Sequence, residues 1–338
     1  YMKRILIVGA GFSGVSIART LAENGIACDV IDQRPHFGGN AYDYDNELGI
    51  RIHAYGPHIF HTNNEKVVNW VKRFGEWSEY KHKVKAQLSD GRYVTLPVNR
   101  ETTDIVGKEN LLDTFFRPYT KKMWGLELEE LDPKILDRIP IRDDDNEYYF
   151  PNARYQLMPV NGYTSVFHNI LDHDNISVKL STGFEKSMEK EYEYVFNCMP
   201  IDVYFEFKHG KLPYRSIKFN NINLPMTKIL PVSVVNFTHS GKHTRMTEWK
   251  NFPNHGVSDS TTLTYEEPCD YEDNNDERYY PVKDINGENR KTYKRYLNEV
   301  DGQKMKFVGR CGNYAYIDMH QAVSSGISAA EQFIHNNT

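Results

Sequence analysis

A run of glycines near the N-terminus has the spacing that lets a main chain approach a diphosphate. The segment GAGFSG extends from Gly9 to Gly14, directly after the apolar segment 5–8. In a GxGxxG turn the first glycine permits the turn, Gly11 lets the main chain approach a pyrophosphate, and the third glycine allows close helix packing. Asp32 follows a second apolar segment, where a carboxylate can accept hydrogen bonds from ribose hydroxyls. The pattern predicts a bound dinucleotide.

Two strands and a helix must position these residues. Residues 3–8 have the composition of a buried strand, and apolar residues then recur with helical spacing at Val15, Ala18 and Leu21. Residues 27–31 are expected to form the second strand. In this βαβ unit the N-terminus of the helix, with its partial positive charge, faces the phosphates.

Two further features favour FAD over NAD. A second glycine pair, Gly38-Gly39, follows Asp32, and in flavoproteins of the glutathione-reductase fold such a pair runs along the extended FAD. A late strand at 305–308, followed by Gly309-Arg310 and a helix over 319–334, predicts a return of the chain to the first sheet. The cofactor contacts expected from the N-terminal part are Gly9, Gly11, Phe12, Ser13, Gly14, Asp32, Gln33, Gly39 and Asn40.

The composition is that of a globular protein and excludes several classes of function. The 338 residues are 39% hydrophobic and carry a net charge of −5, which excludes a general polyanion binder. No apolar run reaches the roughly 18 to 20 residues that span a bilayer. The four cysteines form no CxxC pair, which argues against a disulfide framework or a zinc site and is typical of a cytoplasmic protein. His58 and His61 have no evident further ligands, so no metal site is expected.

Beyond the N-terminal motif, short blocks rich in tyrosine, arginine, histidine and glycine follow one another through the chain. They are Gly38–Tyr42, Tyr55–Thr62, Tyr119–Gly125, Arg138–Arg142, Arg154–Gln156, Pro159–Thr164, Tyr214–Ser216, His243–Arg245, Tyr279–Val282, Gly309–Arg310 and Tyr314–Gln321. In this order they resemble the UDP-galactopyranose mutase family over nearly the whole chain.

The resemblance implies an isomerase that uses FAD without net oxidation. In the family, reduced FAD attacks the anomeric carbon of the sugar through N5, and the nucleoside diphosphate leaves. The sugar then opens and closes on its other hydroxyl, and the nucleotide returns. The chain would interconvert pyranose and furanose forms of a nucleoside-diphosphate hexose and supply furanose donors for surface polysaccharide. UDP-galactose is the default substrate, with UDP-N-acetylgalactosamine and dTDP-fucose left open.

The resemblance also assigns roles to charged side chains. It places Arg142 and Arg245 on the diphosphate, as catalytic residues, with Arg142 on a mobile lid. Arg215 matches another arginine near the active site, and Arg310 one that stabilises reduced flavin. Asp318 matches an acid near the flavin and sugar and is expected to be a catalytic residue as well. From the residues alone, any one arginine could form a surface salt bridge, and Asp318 could simply be the N-cap of the last helix.

Aromatic residues receive matching roles. Phe116 and Tyr119 are expected to hold the nucleoside base, and Trp124 to lie beside the sugar, although a core tryptophan is the alternative. Tyrosine hydroxyls are expected on the diphosphate, with the choice between Tyr279 and Tyr280 left open. The complete set is Tyr155, Tyr279, Tyr280 and Tyr316. Further flavin contacts are expected from His58, as a catalytic residue, Ile59, Arg310, Asp318 and Met319.

One segment departs from the family pattern. Family members run through a helical domain of several tens of residues after the segment that ends here at Asn99, whereas this chain passes from Glu101 to 111–116 in a few residues. The missing part shapes the substrate pocket and, in bacterial members, the dimer interface. Galactose as the sugar and the usual homodimer are therefore both less securely implied, and the reductant is unknown.

The expected fold is α/β, with an FAD-binding Rossmann-like domain of the glutathione-reductase type, an antiparallel sheet region and a reduced helical insertion. The cofactor domain is expected from 1–78, 171–204 and 302–338, and the helical segment from 100–130. The sheet region takes 79–99, 131–170 and 205–301, with strands at 83–88 and 93–98 and a weaker candidate at 230–237.

Two other functions compete with the mutase. A flavin oxidoreductase of the amine-oxidase-like fold would share the cofactor domain, but Arg142, Arg215 and Arg245 suit a polyanionic ligand better than an amine. A module that binds a prenylated protein and has lost its flavin would share the fold. The intact glycine motif with Asp32 argues against that module.

Overall fold

The computed structural model describes residues 4–137 and 139–337, and of Ile135 only the main chain. Residues 1–3 and 338, at the ends of the predicted cofactor domain, lie outside the described residues. Arg138, which belongs to one of the family-like blocks, also lies outside them.

The regular elements are numbered in chain order. The strands are β1 (Ile5–Val8), β2 (Cys28–Ile31), β3 (Asp43–Asp45), β4 (Arg51–His53), β5 (Phe60–Thr62), β6 (Trp77–Glu79), β7 (Val84–Gln87), β8 (Tyr93–Leu96), β9 (Tyr155–Pro159), β10 (Ile176–Lys179), β11 (Tyr194–Asn197), β12 (Tyr214–Leu224), β13 (Val234–Phe237), β14 (Arg245–Glu248), β15 (Thr261–Asp270), β16 (Tyr280–Pro281) and β17 (Met305–Phe307). The helices are α1 (Phe12–Glu23), α2 (Glu65–Lys72), α3 (Arg100–Val106), α4 (Arg117–Trp124), α5 (Pro133–Leu136), α6 (Tyr163–Leu171), α7 (Ile201–Tyr204), α8 (Glu288–Val300), α9 (Gly309–Gly312) and α10 (Met319–Asn337).

Strands from distant parts of the chain form one parallel sheet in the order β10-β2-β1-β11-β17. Successive side chains of β1 point to opposite faces. Ile5 and Ile7 enter a core that α1, α6 and α10 cover, whereas Leu6 and Val8 enter a second core under α7 and α8. The strands predicted at 27–31 and 305–308 are confirmed within a residue or two.

Close approach of two helices to the N-terminal turn requires glycine. A Cβ on Gly14 would lie 1.9 Å from the carbonyl oxygen of Gly9, so α1 could not pack so tightly on β1 with any other residue. A Cβ on Gly326 of α10 would lie 2.8 Å from the carbonyl oxygen of Ser13. The C-terminal helix therefore returns to the start of α1, as the sequence predicts.

A second, larger sheet has the order β16-β12-β15-β14-β13-β7-β8. It is antiparallel as predicted, apart from β13 and β7, which run parallel. The strand expected at 83–88 is present as β7, with Val84 and Ala86 buried on one face and Lys85 and Gln87 only partly buried. The candidate strand at 230–237 is shorter than predicted, since β13 begins only at Val234. Pro231, which cannot donate to a ladder, stays outside this interior strand.

Small elements join the two sheets. β5, β9 and β6 form a sheet of their own, and β3 pairs with β4. Asp43 of β3 accepts hydrogen bonds from the N–H groups of Tyr163 (2.7 Å) and Thr164 (2.9 Å), so it caps the start of α6. The short helical segment consists of α3, a π-helical turn at Leu112–Phe116 and α4.

Candidate active site

The turn after β1 has the shape expected for a diphosphate site. Gly9 has a φ of +106°, and α1 begins with no acidic side chain in its first turn. The second glycine pair lies against this turn, since a Cβ on Gly39 would be 2.9 Å from the Cα of Gly11. The N–H of Gly38 donates to the carbonyl of Ala10 at 2.9 Å. The N-terminus of α1 is therefore surrounded by glycine main chain that carries no side chains. Such a site is favourable for binding an anion.

Asp32 stands at the end of β2, beside this turn. Its carboxylate accepts hydrogen bonds from the N–H groups of Ala10 and Arg34, both at 2.9 Å. A carboxylate has about four acceptor positions, so capacity remains for ribose hydroxyls. Gln33 is exposed, and the side-chain oxygen of Asn40 accepts from Arg34 at 3.1 Å.

Other predicted cofactor residues are buried and could contact a ligand mainly through the main chain. The ring of Phe12 packs in the core 4.4 Å from that of Phe167. Ser13 and Ile59 are only 7% and 8% exposed, and Met319 packs against the main core.

His58 is held on three sides. Its main-chain N–H donates to Nδ1 of His53 at 3.0 Å, and its carbonyl accepts from the hydroxyl of Tyr163 at 2.8 Å. Its Nδ1 lies 2.7 Å from the carbonyl oxygen of Gly56, so Nδ1 carries the proton. Burial lowers the pKa of His58 to about 4, against the raising effect of that hydrogen bond, and Arg310 and Arg245 lower it further. The ring is neutral at pH 7, with Nε2 as an acceptor.

Arg245 is aimed by a buried carboxylate. Its Nε donates to Oε2 of Glu266 at 2.7 Å, and Glu266 is 1% exposed. Burial alone would lower the pKa of Arg245, but the Glu266 carboxylate raises it above the ordinary value. No hydrogen bond among the described residues uses its Nη1 or Nη2. Tyr119 and Tyr280 interact electrostatically with the same guanidinium.

Arg310 lies next to these groups. Its terminal nitrogens donate to the carbonyls of Tyr279 and Ile317, both at 2.8 Å. The guanidinium lies 5.2 Å from the ring centre of Tyr280 and 4.6 Å from that of Tyr316. Within the described parts of the chain, no carboxylate forms a salt bridge with Arg310. We refer to Arg245, Arg310, Tyr119, Tyr280 and Tyr316 together as the arginine–tyrosine cluster.

Asp318 occupies the N-cap position of α10 and also lies near the cluster. Its N–H donates to the side chain of Gln321 at 2.8 Å, which is half of a capping box. Its carboxylate interacts electrostatically with Tyr316 and His61. The structural and the functional interpretation of this residue are thus compatible.

Arg142 and Arg215, like Arg310, donate guanidinium hydrogen bonds to carbonyls of the protein. Arg142 donates to the carbonyls of Pro97 (2.7 Å) and Tyr148 (2.8 Å), and no contact among the described residues joins it to Arg245. Its Nε is buried without a partner, and burial lowers its pKa. Arg215 donates to the carbonyls of Met123 (2.7 Å) and Lys122 (3.2 Å), and so caps the C-terminus of α4.

The remaining predicted residues fall at different distances from the cluster. Trp124 packs with Tyr280 around the buried ring of Tyr279. Phe116 packs on a separate small core under β7 and β8. Tyr155 lies on β9 against the main core, under the guanidinium of Arg154, and the described contacts do not join it to Arg245.

Sequence reasoning missed several residues of the site. Asn236 lies directly opposite Arg245 on the neighbouring strand, so both point to one face of the sheet, and its side-chain oxygen is buried without a partner. Glu266 is opposite Arg245 on the other side. Alternation within β13 and β15 could have placed these residues on one face, but only the pairing register shows that they meet.

Two absences hold for the described residues alone. In residues 4–137 and 139–337, no helix combines the length and the hydrophobicity needed to cross a membrane. Over the same ranges, His, Cys, Asp and Glu side chains do not form a group of three or more that could hold a metal ion.

Comparison with known proteins identifies the family. Residues 114–316 match the family model of UDP-galactopyranose mutase, and residues 7–74 match that of an NAD(P)-binding Rossmann-like domain. A probable UDP-galactopyranose mutase of Klebsiella pneumoniae is 35% identical over 98% of this chain and 95% of its own length. A dTDP-fucopyranose mutase of Escherichia coli is 33% identical over 99% of this chain and 100% of its own.

The fold agrees with this assignment. A crystal structure of reduced UDP-galactopyranose mutase superposes with a TM-score of 0.78, covering 99% of this chain and 96% of that one at 17% identity. The alignment with the Escherichia coli protein extends over 383 positions although this chain has 338 residues, so that relative carries segments that are absent here. The chain belongs to the UDP-galactopyranose mutase family.

Proposed function

We propose that the chain is a flavin-dependent mutase that interconverts the pyranose and furanose forms of a nucleoside-diphosphate hexose. The observation that carries the proposal is the arginine–tyrosine cluster, which meets the edge of the Rossmann-like domain at His58. Two cations and three phenol rings converge there, and two terminal nitrogens of Arg245 remain for a ligand. Such a site suits a diphosphate better than an apolar or amine substrate.

FAD fits the N-terminal crevice. Gly11 and Gly39 lie so close together that a Cβ on Gly39 would be 2.9 Å from the Cα of Gly11, so both positions of this turn need glycine. Asp32 would offer acceptors to the adenosine ribose, and His58, Arg310 and Asp318 would contact the flavin where it meets the sugar. When bound and reduced, FAD would supply a nucleophile for the anomeric carbon without net electron transfer.

The residues of this chain would bind and orient the nucleotide sugar. Arg245 would donate through Nη1 and Nη2 to phosphate oxygens, and the Glu266 carboxylate would keep it in place while the diphosphate departs and returns. Arg310 would add an uncompensated positive charge. Tyr280 suits the diphosphate better than Tyr279, which is buried at 5% exposure in an apolar cluster.

Further residues would complete the pocket. Asn236 could hydrogen-bond the substrate through its unpartnered amide oxygen. Arg142 would have to leave the carbonyls of Pro97 and Tyr148 to reach a diphosphate, as expected of a residue on a mobile lid. Tyr119 and Phe116 would hold the base, Trp124 the sugar, and Tyr155 and Tyr316 the diphosphate.

The cellular setting is also a proposal. The four free cysteines suit a cytoplasmic location, where a cellular reductant would keep the flavin active. A homodimer is proposed from the family resemblance alone. The boundaries of the three domains also remain predictions. A strand pairing crosses one of them, because β6 of the predicted cofactor domain pairs with β9 of the predicted sheet region.

A panel of UDP- and dTDP-hexoses tests the function and the substrate together. The protein, saturated with FAD and reduced by dithionite, is incubated with UDP-galactose, UDP-N-acetylgalactosamine and dTDP-fucose, and the products are separated by chromatography. We expect a furanose isomer from at least one of them, without change in oxidation state. Failure with the whole panel, under conditions where a known family member turns over, would reject the proposal.

A further inference from the structure

Two buried histidines that no prediction included lie behind His58. The Nε2 atoms of His53 and His255 are 2.9 Å apart, and the residues are 1% and 2% exposed. Nδ1 of His53 accepts the main-chain N–H of His58 at 3.0 Å. At the other end, Nδ1 of His255 lies 2.7 Å from the carbonyl oxygen of Pro253. We call this chain of three hydrogen bonds the histidine relay.

Only one placement of the ring protons is compatible with these three hydrogen bonds. A carbonyl oxygen only accepts, so Nδ1 of His255 must carry a proton, and in a neutral ring its Nε2 is then an acceptor. Nε2 of His53 must therefore be the donor, which leaves Nδ1 of His53 free to accept from His58. Burial lowers the pKa of His255 to about 4 and that of His53 well below its ordinary value, so both rings are neutral at pH 7.

Packing keeps the His53 ring in place. Its centre lies 4.9 Å from the ring of Trp249, 6.0 Å from that of Phe252 in a stacked arrangement, and 5.6 Å from the edge-on ring of Tyr163. Tyr163 also donates its hydroxyl to the carbonyl of His58. Both main-chain polar groups of His58 are thus fixed by one buried cluster.

We propose that His53 and His255 are positioning residues, which set the place of His58 against the cofactor by fixing its main-chain N–H. The proposal rests on the proposed function, because it takes His58 to contact the flavin. Neither histidine would touch substrate or flavin. Their effect would reach the reaction through the segment 56–58 alone.

A matched pair of substitutions separates positioning from bulk stability. The oxygen of asparagine lies near the place of a histidine Nδ1, whereas a glutamine amide reaches the place of Nε2. His53→Asn therefore keeps an acceptor for the N–H of His58, and His53→Gln removes it. Both lose a buried ring, so both should melt at a lower temperature than the unchanged protein.

The readout is the flavin midpoint potential of the FAD-loaded protein, with FAD content and melting temperature measured alongside. For His53→Gln we expect the ratio of affinities for oxidised and reduced FAD to change about tenfold or more. That change corresponds to about 30 mV for a two-electron couple. His53→Asn should stay within about twofold of the unchanged protein. Equal potentials in the two variants would overturn the proposal.

If the His53 variants do not fold, a matching pair of His255 variants provides the same test. His255→Gln retains an acceptor at the place of Nε2 and should keep the unchanged potential, whereas His255→Asn removes that acceptor and should shift the potential. Equal potentials in this pair would likewise overturn the relay.

Nitrogen NMR of the histidine rings tests the relay without any flavin. At pH 7 we expect uncharged rings, with the proton on Nε2 of His53 and on Nδ1 of His255 and His58. The opposite tautomer of His53, or a charged His53, would overturn the relay. A protein that shows these tautomers but neither binds FAD nor isomerises a sugar would instead contradict the proposed function.

Discussion

At the residue scale, the chemistry of the site depends on how the donors of each arginine are used. Arg245 uses only Nε, which donates to Glu266, whereas Arg142 places both terminal nitrogens, and Arg215 places Nε and Nη2, on carbonyls of the protein itself. A guanidinium whose outer edge is free can bind two phosphate oxygens at once, which an ammonium cannot. Arg245 can therefore bind a ligand as it stands, whereas Arg142 and Arg215 would first have to release carbonyls of the protein.

Arg245→Lys should therefore impair catalysis more than folding. Lysine keeps the charge but loses the planar pair of donors. We therefore expect the binding of the transition state to weaken by about 2 to 5 kcal/mol, so that kcat/KM falls about thirtyfold or more. Steady-state kinetics of the reduced protein measure the effect. Arg92→Lys, at an exposed position between β7 and β8 where the arginine pairs, among the described residues, only with Asp90, is the matched control and should leave kcat/KM unchanged. A full rate in Arg245→Lys would remove Arg245 from the diphosphate site.

The glycine turn gives a second prediction at this scale. Gly14→Ala would place a Cβ 1.9 Å from the carbonyl oxygen of Gly9, so the main chain must shift where the cofactor would lie. We expect at least about 3 kcal/mol of destabilisation and loss of FAD during purification. Gly183→Ala, where the same atom meets nothing within 4 Å, should retain both stability and flavin. Equilibrium unfolding and the flavin absorbance per chain measure the two effects.

At the scale of elements, α4 is held at both sides of its C-terminal turn. Arg215 of β12 donates to its last carbonyls, and Nζ of Lys122 donates to the carbonyls of Phe237 (3.3 Å) and His243 (2.9 Å). Burial lowers the pKa of Lys122 to about 8. The contacts of Lys122 join the helix that carries Tyr119 to the hairpin that carries Arg245, so they fix the distance between the proposed base and diphosphate positions.

Arg215→Met should test this coupling. It keeps much of the side-chain length but removes the donors that cap α4, so we expect a loss of about 1.5 to 3 kcal/mol in the free energy of unfolding. KM should rise more than kcat falls, because Tyr119 loses its support. Arg117→Met, on the exposed side of the same helix, should change neither quantity measurably. If kcat fell while KM stayed constant, Arg215 would act on the reaction itself.

Local patterns explain which elements the sequence could predict. The βαβ unit follows from an apolar strand, a glycine turn and helical spacing within about thirty residues, and β7 follows from simple alternation. The sequence could not show that Arg215 caps a helix some ninety residues earlier in the chain, because that depends on the register of β12 and on the folding of α4. For the same reason the meeting of Arg245, Glu266 and Asn236 was missed, although each lies on a strand.

On the scale of the whole molecule, buried neutral histidines link stability to pH. Burial lowers the pKa of His58 and His255 to about 4 and that of His82 to about 3, and that of His53 well below its ordinary value. The unfolded chain takes up protons near pH 6.5, whereas the folded chain does so only near pH 4 or below. The unfolded state therefore binds more protons between these values, and stability falls as pH falls.

Urea unfolding between pH 7.5 and 4.5 should show this loss. Each such histidine contributes a slope of up to about 1.4 kcal/mol per pH unit below pH 6.5. His82→Gln, which removes one of these histidines, should have a shallower slope than the unchanged protein. A free energy of unfolding that stayed constant or rose on acidification would show that these histidines are charged or exposed in the folded state.

The shortened helical segment limits what the whole molecule allows one to predict. The resemblance implies a dimer interface and part of the substrate pocket in a region that this chain abbreviates to α3, a π-helical turn and α4. Neither the oligomeric state nor the sugar specificity follows from the motifs that identify the family.

We propose that this chain isomerises a nucleotide sugar without oxidising it, and that its FAD must be reduced for the reaction. The most direct measurement compares one FAD-loaded preparation, oxidised in air or reduced by dithionite, for furanose–pyranose conversion and for peroxide. We predict conversion only in the reduced sample. The oxidised sample should release no peroxide when substrate is added. Equal conversion in both samples, or peroxide released in step with substrate loss, would contradict the claim.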